Sequence, residues 1–422
     1  MDDTFIPFTP PTFIQHINDF CHNPIIAPFA YAGFWSVFCI LSPLGALFLL
    51  ISLPFFVIKE VILSVNAIIY DKSNPNHLSR DHAELVVVVT GCDTGFGNDL
   101  VLKLLKSPPP PCPGSSSSSV TVFAFCYSEA GCERVSLQSL GLDAYGINAV
   151  HPVQCDVTSE KSVAGAFAAV AAYISRPKEE GSKCFLHSVV NNAGVGTPGY
   201  VDMIPVKKES GKVCSFERDM EVNYFGALRV VKAALPLIKD QATAATSSAR
   251  YTGTCVVNVT SMAGLVSSPN MGAYTGSKHA MEAVSTCLGY ELKPWGCNVT
   301  TVNPSFHRTP LVEGIEGFVD VMYRESEVAR RDYGKDFCTE LKRKSITGSK
   351  LAEWRAENVS GCIYDQIYHR RSGQLLVGMD ARFAIAVIRH FPASFQRAMV
   401  AGWKGAQFYI GVQPNLCKNK LS

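Results

Sequence analysis

Tyr274 and Lys278 are the residues whose types and spacing best suit them to proton transfer. Four positions apart, they share one face of a helix, which sets an ammonium beside a phenol. A nearby positive charge favours the phenolate, so the spacing predicts a Tyr274 pKa drawn down from ~10 toward neutrality. A tyrosine tuned in this way can give a proton to an alcohol or carbonyl oxygen, or take one from it. Chance supplies Tyr-x-x-x-Lys often, so the reading depends on its surroundings.

The elements that must position such a pair can be read around it. Residues 84–90 form a β-branched run without alternation, the pattern of a strand buried on both faces of a parallel sheet. The run feeds directly into Gly91-Cys92-Asp93-Thr94-Gly95-Phe96-Gly97 and then a helical stretch, 98–106. Strand, glycine turn and helix together are the context of a dinucleotide site. Gly91 permits the tight turn, while Gly95 and Gly97 let backbone N–H groups and the helix N-terminus approach a pyrophosphate. The spacing is G-x-x-x-G-x-G, not the commoner G-x-G-x-x-G. Further strands are predicted at 120–126, 153–155, 185–190, 254–260 and 298–302, with helices at 162–174, 216–239 and 274–292. The third strand ends at Asp156-Val157, the fourth at Asn191-Asn192-Ala193-Gly194 and the fifth at Ser261. Asn223 falls mid-helix in 216–239. Six strands alternating with helices predict an α/β fold: a doubly wound, Rossmann-type parallel sheet with helices on both faces. The site then lies at the strands' C-terminal ends. The second strand ends in Cys126-Tyr127-Ser128-Glu129, without a base to meet a 2′-phosphate, and Asp93 lies in the glycine loop. Both favour NAD over NADP.

Before the sheet, residues 25–58 carry no charge, which is longer than the ~20 apolar residues a membrane span needs. Pro43 and Pro54 allow either one tilted span or a re-entrant hairpin. Lys59, Lys72 and Arg80 follow this segment, and no Lys or Arg precedes it, so the downstream domain is expected on the cytoplasmic side. The expected organisation is an N-terminal region (1–69), a polar linker (70–83), a catalytic domain (84–400) and a tail (401–422). The Pro- and Ser-rich stretch 107–119 reads as a surface insertion. Of 422 residues, 18% are charged and the net charge is +2, which gives no case for a nucleic-acid partner. The 15 cysteines include no C-x-x-C, which argues against a zinc site or a disulfide framework.

Taken together, Thr90–Gly97 (TGCDTGFG), Asn191–Gly194 (NNAG), Asn223, Ser261 and the Tyr274/Lys278 pair resemble the short-chain dehydrogenase/reductases in order and spacing. The SKHAMEA stretch at 277–283, ELKPWG at 291–296 and VGMDAR at 377–382 are similar to one branch. That branch holds retinol dehydrogenases, membrane hydroxysteroid dehydrogenases and the mitochondrial 3-hydroxybutyrate dehydrogenase. The resemblance implies a nicotinamide-dependent oxidoreductase with Tyr274 as general acid/base. Lys278 would lower the Tyr274 pKa and bond a ribose, Ser261 would position the substrate oxygen, and Asn223 would hold a water linking Lys278 to solvent. It further implies that Gly91, Gly95 and Gly97 line the pyrophosphate, and that Asp93, Thr94, Phe96 and Val157 also belong to the cofactor site. Asp156 would meet the adenine, Asn192, Ala193 and Gly194 its ribose, and Thr309 the carboxamide; no metal is implied. Pro304-Ser305 departs from the family's usual Pro-Gly.

The substrate expected is a lipophilic alcohol or carbonyl of retinoid or steroid type, with the enzyme in the membrane of the endoplasmic reticulum. Homodimer formation is left open. A small hydroxy acid such as 3-hydroxybutyrate is the alternative, and a pocket cation among Arg324, Arg330, Arg331 and Lys335 would favour it. An inactive scaffold of the same fold is the rival from another class.

Overall fold

The computed structural model describes residues 83–107, 119–142, 148–177, 183–207, 214–245, 253–350, 355–369, 373–378, 381–382 and 385. All of these belong to the compact unit His77–Ser422. The expected membrane segment, the linker up to residue 82, most of the Pro/Ser insertion and the tail lie outside the described residues. Among the described residues no helix is long and apolar enough to cross a membrane.

Seven parallel strands form one sheet: β1 (Ala83–Thr90), β2 (Ser119–Cys126), β3 (Asn148–Gln154), β4 (Lys183–Asn191), β5 (Cys255–Val259), β6 (Asn298–Pro304) and β7 (Gly373–Val377). Their order is β3-β2-β1-β4-β5-β6-β7, so the winding reverses between β1 and β4 and opens a crevice at their C-terminal ends. The valine run of β1 explains its central place. Leu85, Val87 and Val89 join the core on one face, with Leu100, Val101 and Leu104 of helix α1 (Gly95–Lys106). Val86 and Val88 join the core on the other face, with Val163, Phe167 and Val170 of the helix Glu160–Ile174. Each such side chain contributes about 1.5–3 kcal/mol when fully buried. A third cluster, Met203, Val319, Met322, Phe337 and Leu341, builds a lobe beyond β6.

Three expectations are corrected. The sheet has a seventh strand, β7, a five-residue edge strand that pairs with β6. β3 begins at Asn148 rather than Val153 and runs through Pro152; it can do so because it is the other edge strand, where a missing N–H breaks no ladder. The continuous helix expected over 216–239 is instead a five-residue helix (Phe216–Met220), a π-helical turn (Glu221–Gly226) and a long helix (Ala227–Ala245).

Candidate active site

The glycine turn and the end of β4 are tied together. Thr90 Oγ1 accepts hydrogen bonds from Asn192 N and Ala193 N, both at 3.0 Å. Asn192 Nδ2 donates to the carbonyls of Thr90 (2.9 Å) and Gly91 (3.1 Å). Gly91 has φ +68°, and a Cβ there would lie 2.7 Å from Ala193 Cα, so two peptide segments touch at a position only glycine fits. Gly97 stands behind the turn, where a Cβ would come within 2.5 Å of Gly91 O.

In front of the turn lies a cavity of about 810 Å³. Gly91, Asp93, Thr94, Gly95, Phe96, Asp156, Val157, Asn192, Ala193, Gly194, Tyr274, Lys278 and Thr309 line it. The expected site residues Gly97, Ser261 and Asn223 are not among these lining residues. Asp93 bridges the turn to the end of β2, its carboxylate accepting from Tyr127 N (2.7 Å), Ser128 N (3.1 Å) and Ser128 Oγ (2.7 Å). Asp156 Oδ1 accepts from Thr158 N (2.9 Å) and Thr158 Oγ1 (2.8 Å).

Tyr274 and Lys278 lie in the helix Gly272–Glu291, packed beside the short segment that follows β5. The Ser261 hydroxyl lies close enough to the Tyr274 phenol to favour its ionised form. Ser261 Oγ also accepts from Ala263 N at 3.1 Å, and Asn303 Nδ2 reaches the Ser261 carbonyl at 3.3 Å. Lys278 is 4% exposed; its Nζ donates to Val259 O at 3.0 Å and stands 5.7 Å from the Tyr274 ring centre.

The electrostatics reverse the expected tuning of Tyr274. Loss of water around the phenol raises its pKa to about 12, the Ser261 hydroxyl counters this, and the Asp219 charge adds to it. Burial also lowers Lys278 to about 8, against the opposing pull of Asp219 and Glu282. Removing a phenol from water penalises the phenolate, and the ammonium meant to hold it is itself desolvated.

Asn223 lies in the π-helical turn. Its Nδ2 donates to Val195 O (2.8 Å) and Ser277 Oγ (2.9 Å), and its Oδ1 accepts from Val195 N (2.8 Å). Both amide hydrogens are taken, so the side chain offers a water only the second lone pair of Oδ1. One turn earlier, Asp219 is fully buried and accepts from Thr197 N (2.9 Å) and Thr197 Oγ1 (2.7 Å); burial raises its pKa to about 6. Glu282, one turn after Lys278, is 6% exposed and gathers Thr260, Asn303, Thr301 and Gln374 around its carboxylate.

Sequence reasoning did not single out Asp219, Glu282 or the lining residues Glu217, Arg218, Glu221 and Val222. The available signal was helical spacing: Asp219 precedes Asn223 by one turn, and Glu282 follows Lys278 by one. The proposed pocket cations Arg324, Arg330, Arg331 and Lys335 are absent from the lining. Arg331 pairs with Asp332, and Arg330 donates to the carbonyls of Tyr323 and Arg324.

A parallel sheet with a glycine turn at its switch point and a Ser–Tyr–Lys group at the crevice defines an α/β oxidoreductase architecture. The short chain dehydrogenase family model matches residues 85–318, more than half the chain, and the protein belongs to that family, whose members act on CH–OH groups. Among curated relatives, the mitochondrial D-beta-hydroxybutyrate dehydrogenase of Rattus norvegicus is 31% identical over 62% of this chain and 67% of its own length. Estradiol 17-beta-dehydrogenase 2 of Mus musculus is 30% identical over 72% of this chain and 68% of its own. Retinol dehydrogenase 5 of Homo sapiens is 28% identical over 74% and 87%. The chain spans about two thirds of the length of the first two relatives.

Proposed function

We propose that this chain is a membrane-anchored, nicotinamide-dependent dehydrogenase/reductase that interconverts a lipophilic alcohol, of retinoid or steroid type, with its carbonyl. One observation carries the reading: the Tyr274 phenol and the buried Lys278, one turn apart on one helix face, line the cavity that the glycine turn opens, with Ser261 beside the phenol. The estradiol and retinol dehydrogenases among the relatives support the substrate class. The uncharged run 25–58 supports the anchor, and the basic residues after it support a catalytic domain of about 84–400 facing the cytoplasm, in the endoplasmic reticulum.

The residues present fit a dinucleotide. Gly95 has φ +63°, and a Cβ there would meet nothing nearer than Thr309 and Pro310 at 3.9 Å, so the turn's backbone stays bare toward the cavity. The Thr94 side chain makes no capping bond, leaving the first N–H groups of α1 for an anion. The proposed holders are residues 91–97 for the pyrophosphate, and Asp156, Val157, Asn192, Ala193 and Gly194 for the adenosine half. Tyr274, Lys278 and Thr309 take the nicotinamide half. The Asp93 carboxylate at the end of β2 repels a 2′-phosphate, which favours NAD over NADP. The bound nicotinamide supplies the hydride chemistry.

The chain's own part is proton handling and orientation. With a pKa near 12, Tyr274 is protonated at neutral pH and gives its proton to the nascent alkoxide in the reductive direction. In the oxidative direction the phenol must first lose that proton; the Ser261 hydroxyl and the Lys278 charge stabilise the phenolate. Ser261 orients the substrate oxygen. Asn223 holds Val195 and the Ser277 hydroxyl, and so fixes the wall that faces Lys278.

A small hydroxy acid is the second reading, favoured by Arg218 in the cavity lining. The test is formation of reduced cofactor by the full chain in detergent, with NAD and with NADP, on retinol, estradiol and 3-hydroxybutyrate. Turnover of retinol or estradiol with NAD is expected. Cofactor binding without turnover of any alcohol would refute the enzyme and support an inactive scaffold.

A further inference from the structure

Arg218 lies in the short helix Phe216–Met220, whose N-cap Ser215 accepts from Arg218 N at 3.0 Å. Its side chain is 21% exposed and lines the cavity, yet Nη1 is shut from solvent and meets no hydrogen-bond acceptor among the described residues. The nearest carboxylate contact is Asp219 Oδ1 at 3.8 Å, beyond hydrogen-bond reach. Both oxygens of Asp219 already receive the Thr197 donors. Glu221, which also lines the cavity, is taken by Arg229 at 2.8 Å. The Phe318 ring centre lies 5.6 Å from the Arg218 guanidinium carbon, within cation–π distance. The guanidinium therefore has an aromatic ring beside it and one long ion pair with Asp219, with no hydrogen bond to an acceptor from Nη1.

We infer that Arg218 is an anion-binding residue of the cleft, which takes an anionic oxygen of the occupant through the part of its guanidinium that lines the cavity. A guanidinium paired only at long range gains from a phosphate or carboxylate oxygen, whose planar geometry its fork matches. Resting on the dehydrogenase reading above, two occupants carry such oxygens: the pyrophosphate of the dinucleotide and the carboxylate of a hydroxy acid. Arg218 also acts on Asp219, but only through a long ion pair of 3.8 Å without a hydrogen bond, and its side chain borders the cavity that the glycine turn faces.

The test uses the full chain in detergent, with calorimetric titration of ADP-ribose and of adenosine, and KM values for 3-hydroxybutyrate and cyclohexanol. If the oxygen is the pyrophosphate's, Arg218→Met weakens ADP-ribose by about tenfold or more and leaves adenosine unchanged. If it is the substrate's, Arg218→Met leaves ADP-ribose unchanged, raises the KM for 3-hydroxybutyrate about tenfold at constant kcat, and leaves cyclohexanol alone. Either result supports the anion site and says which oxygen it takes; no change in either ligand overturns it. Should Arg218→Met fail to fold, Arg218→Lys decides. It keeps a charge beside Asp219 but lacks the fork, and the same ligand is expected to weaken at least about threefold, no weakening of either being the overturning result. A wild-type chain that binds ADP-ribose through Arg218 yet oxidises no alcohol would overturn the dehydrogenase reading and leave the anion site standing.

Discussion

Replacing Lys278 by Met removes the most displaced basic group of the site. Lys278 is 4% exposed, and burial lowers its pKa from the usual 10.5 to about 8. The unfolded chain therefore holds one more proton than the folded chain between about pH 8 and 10.5. Because the folded pKa is depressed, the stability contribution is present above 10.5 and lost as pH falls through 8. At ~1.4 kcal/mol per pH unit, the full difference is about 3 kcal/mol, most of it between pH 7 and 10. Lys278→Met also frees the Val259 carbonyl, but that cost does not vary with pH. The assay is urea unfolding of wild type and variant at pH 7 and pH 10, followed by tryptophan fluorescence without cofactor. We expect the wild type to gain about 2–3 kcal/mol on the variant over that interval. An unchanged difference between the two proteins at both pH values would show that the lysine is not desolvated as the structure places it.

Tyr274→Phe should leave ADP-ribose affinity intact and lower turnover by at least ~10²-fold, the scale of losing a general acid/base; steady-state rates near wild type would sink the assignment. In the wild type, with the phenol near 12, the oxidation rate should climb with pH well beyond neutrality while the reduction rate stays level; a plateau in oxidation below pH 8 would contradict it. Glu282→Gln places an amide where one carboxylate gathers four side chains, and should cost about 3 kcal/mol of stability in denaturant unfolding. A loss well under ~1 kcal/mol would mean the network is dispensable.

The sheet's centre was legible because β1, β2 and β5 are short runs rich in β-branched and aromatic residues, and β1 and β4 end directly at the glycine and asparagine turns. Its edges were not. β3 carries His151 and Pro152, which break the strand pattern, and their tolerance depends on edge position, a property of the assembled sheet. β7 spans only Gly373–Val377, and two of its residues are exposed. The π-helical turn was invisible because one extra residue in a helix hardly disturbs a hydrophobic period; its geometry goes with the bonds between Asn223 and Val195. Helical spacing paired Tyr274 with Lys278, and the family resemblance added Ser261 and Asn223 to the site. The direction of the Tyr274 shift did not follow, since adjacency of a lysine is local but desolvation comes from the fold. Arg218 reads in sequence as an ordinary surface helix residue, and only the approach of Phe318 from a distant helix sets it apart.

β7 ties the site to the order in which the chain leaves the ribosome. Val377 O accepts from Ser305 N at 3.0 Å, and Gln374 Nε2 donates to Glu282 at 2.7 Å. Both bonds come from a strand that emerges after every other strand of the sheet. A nascent chain that stops short of Gly373 already contains Ser261, Tyr274 and Lys278, yet lacks the donor that completes the Glu282 network and the acceptor that fixes Ser305. Assembly of the site therefore waits for the last strand of the sheet. A product shortened by a premature stop in this interval would keep every chemical group of the centre without the last strand that locks them.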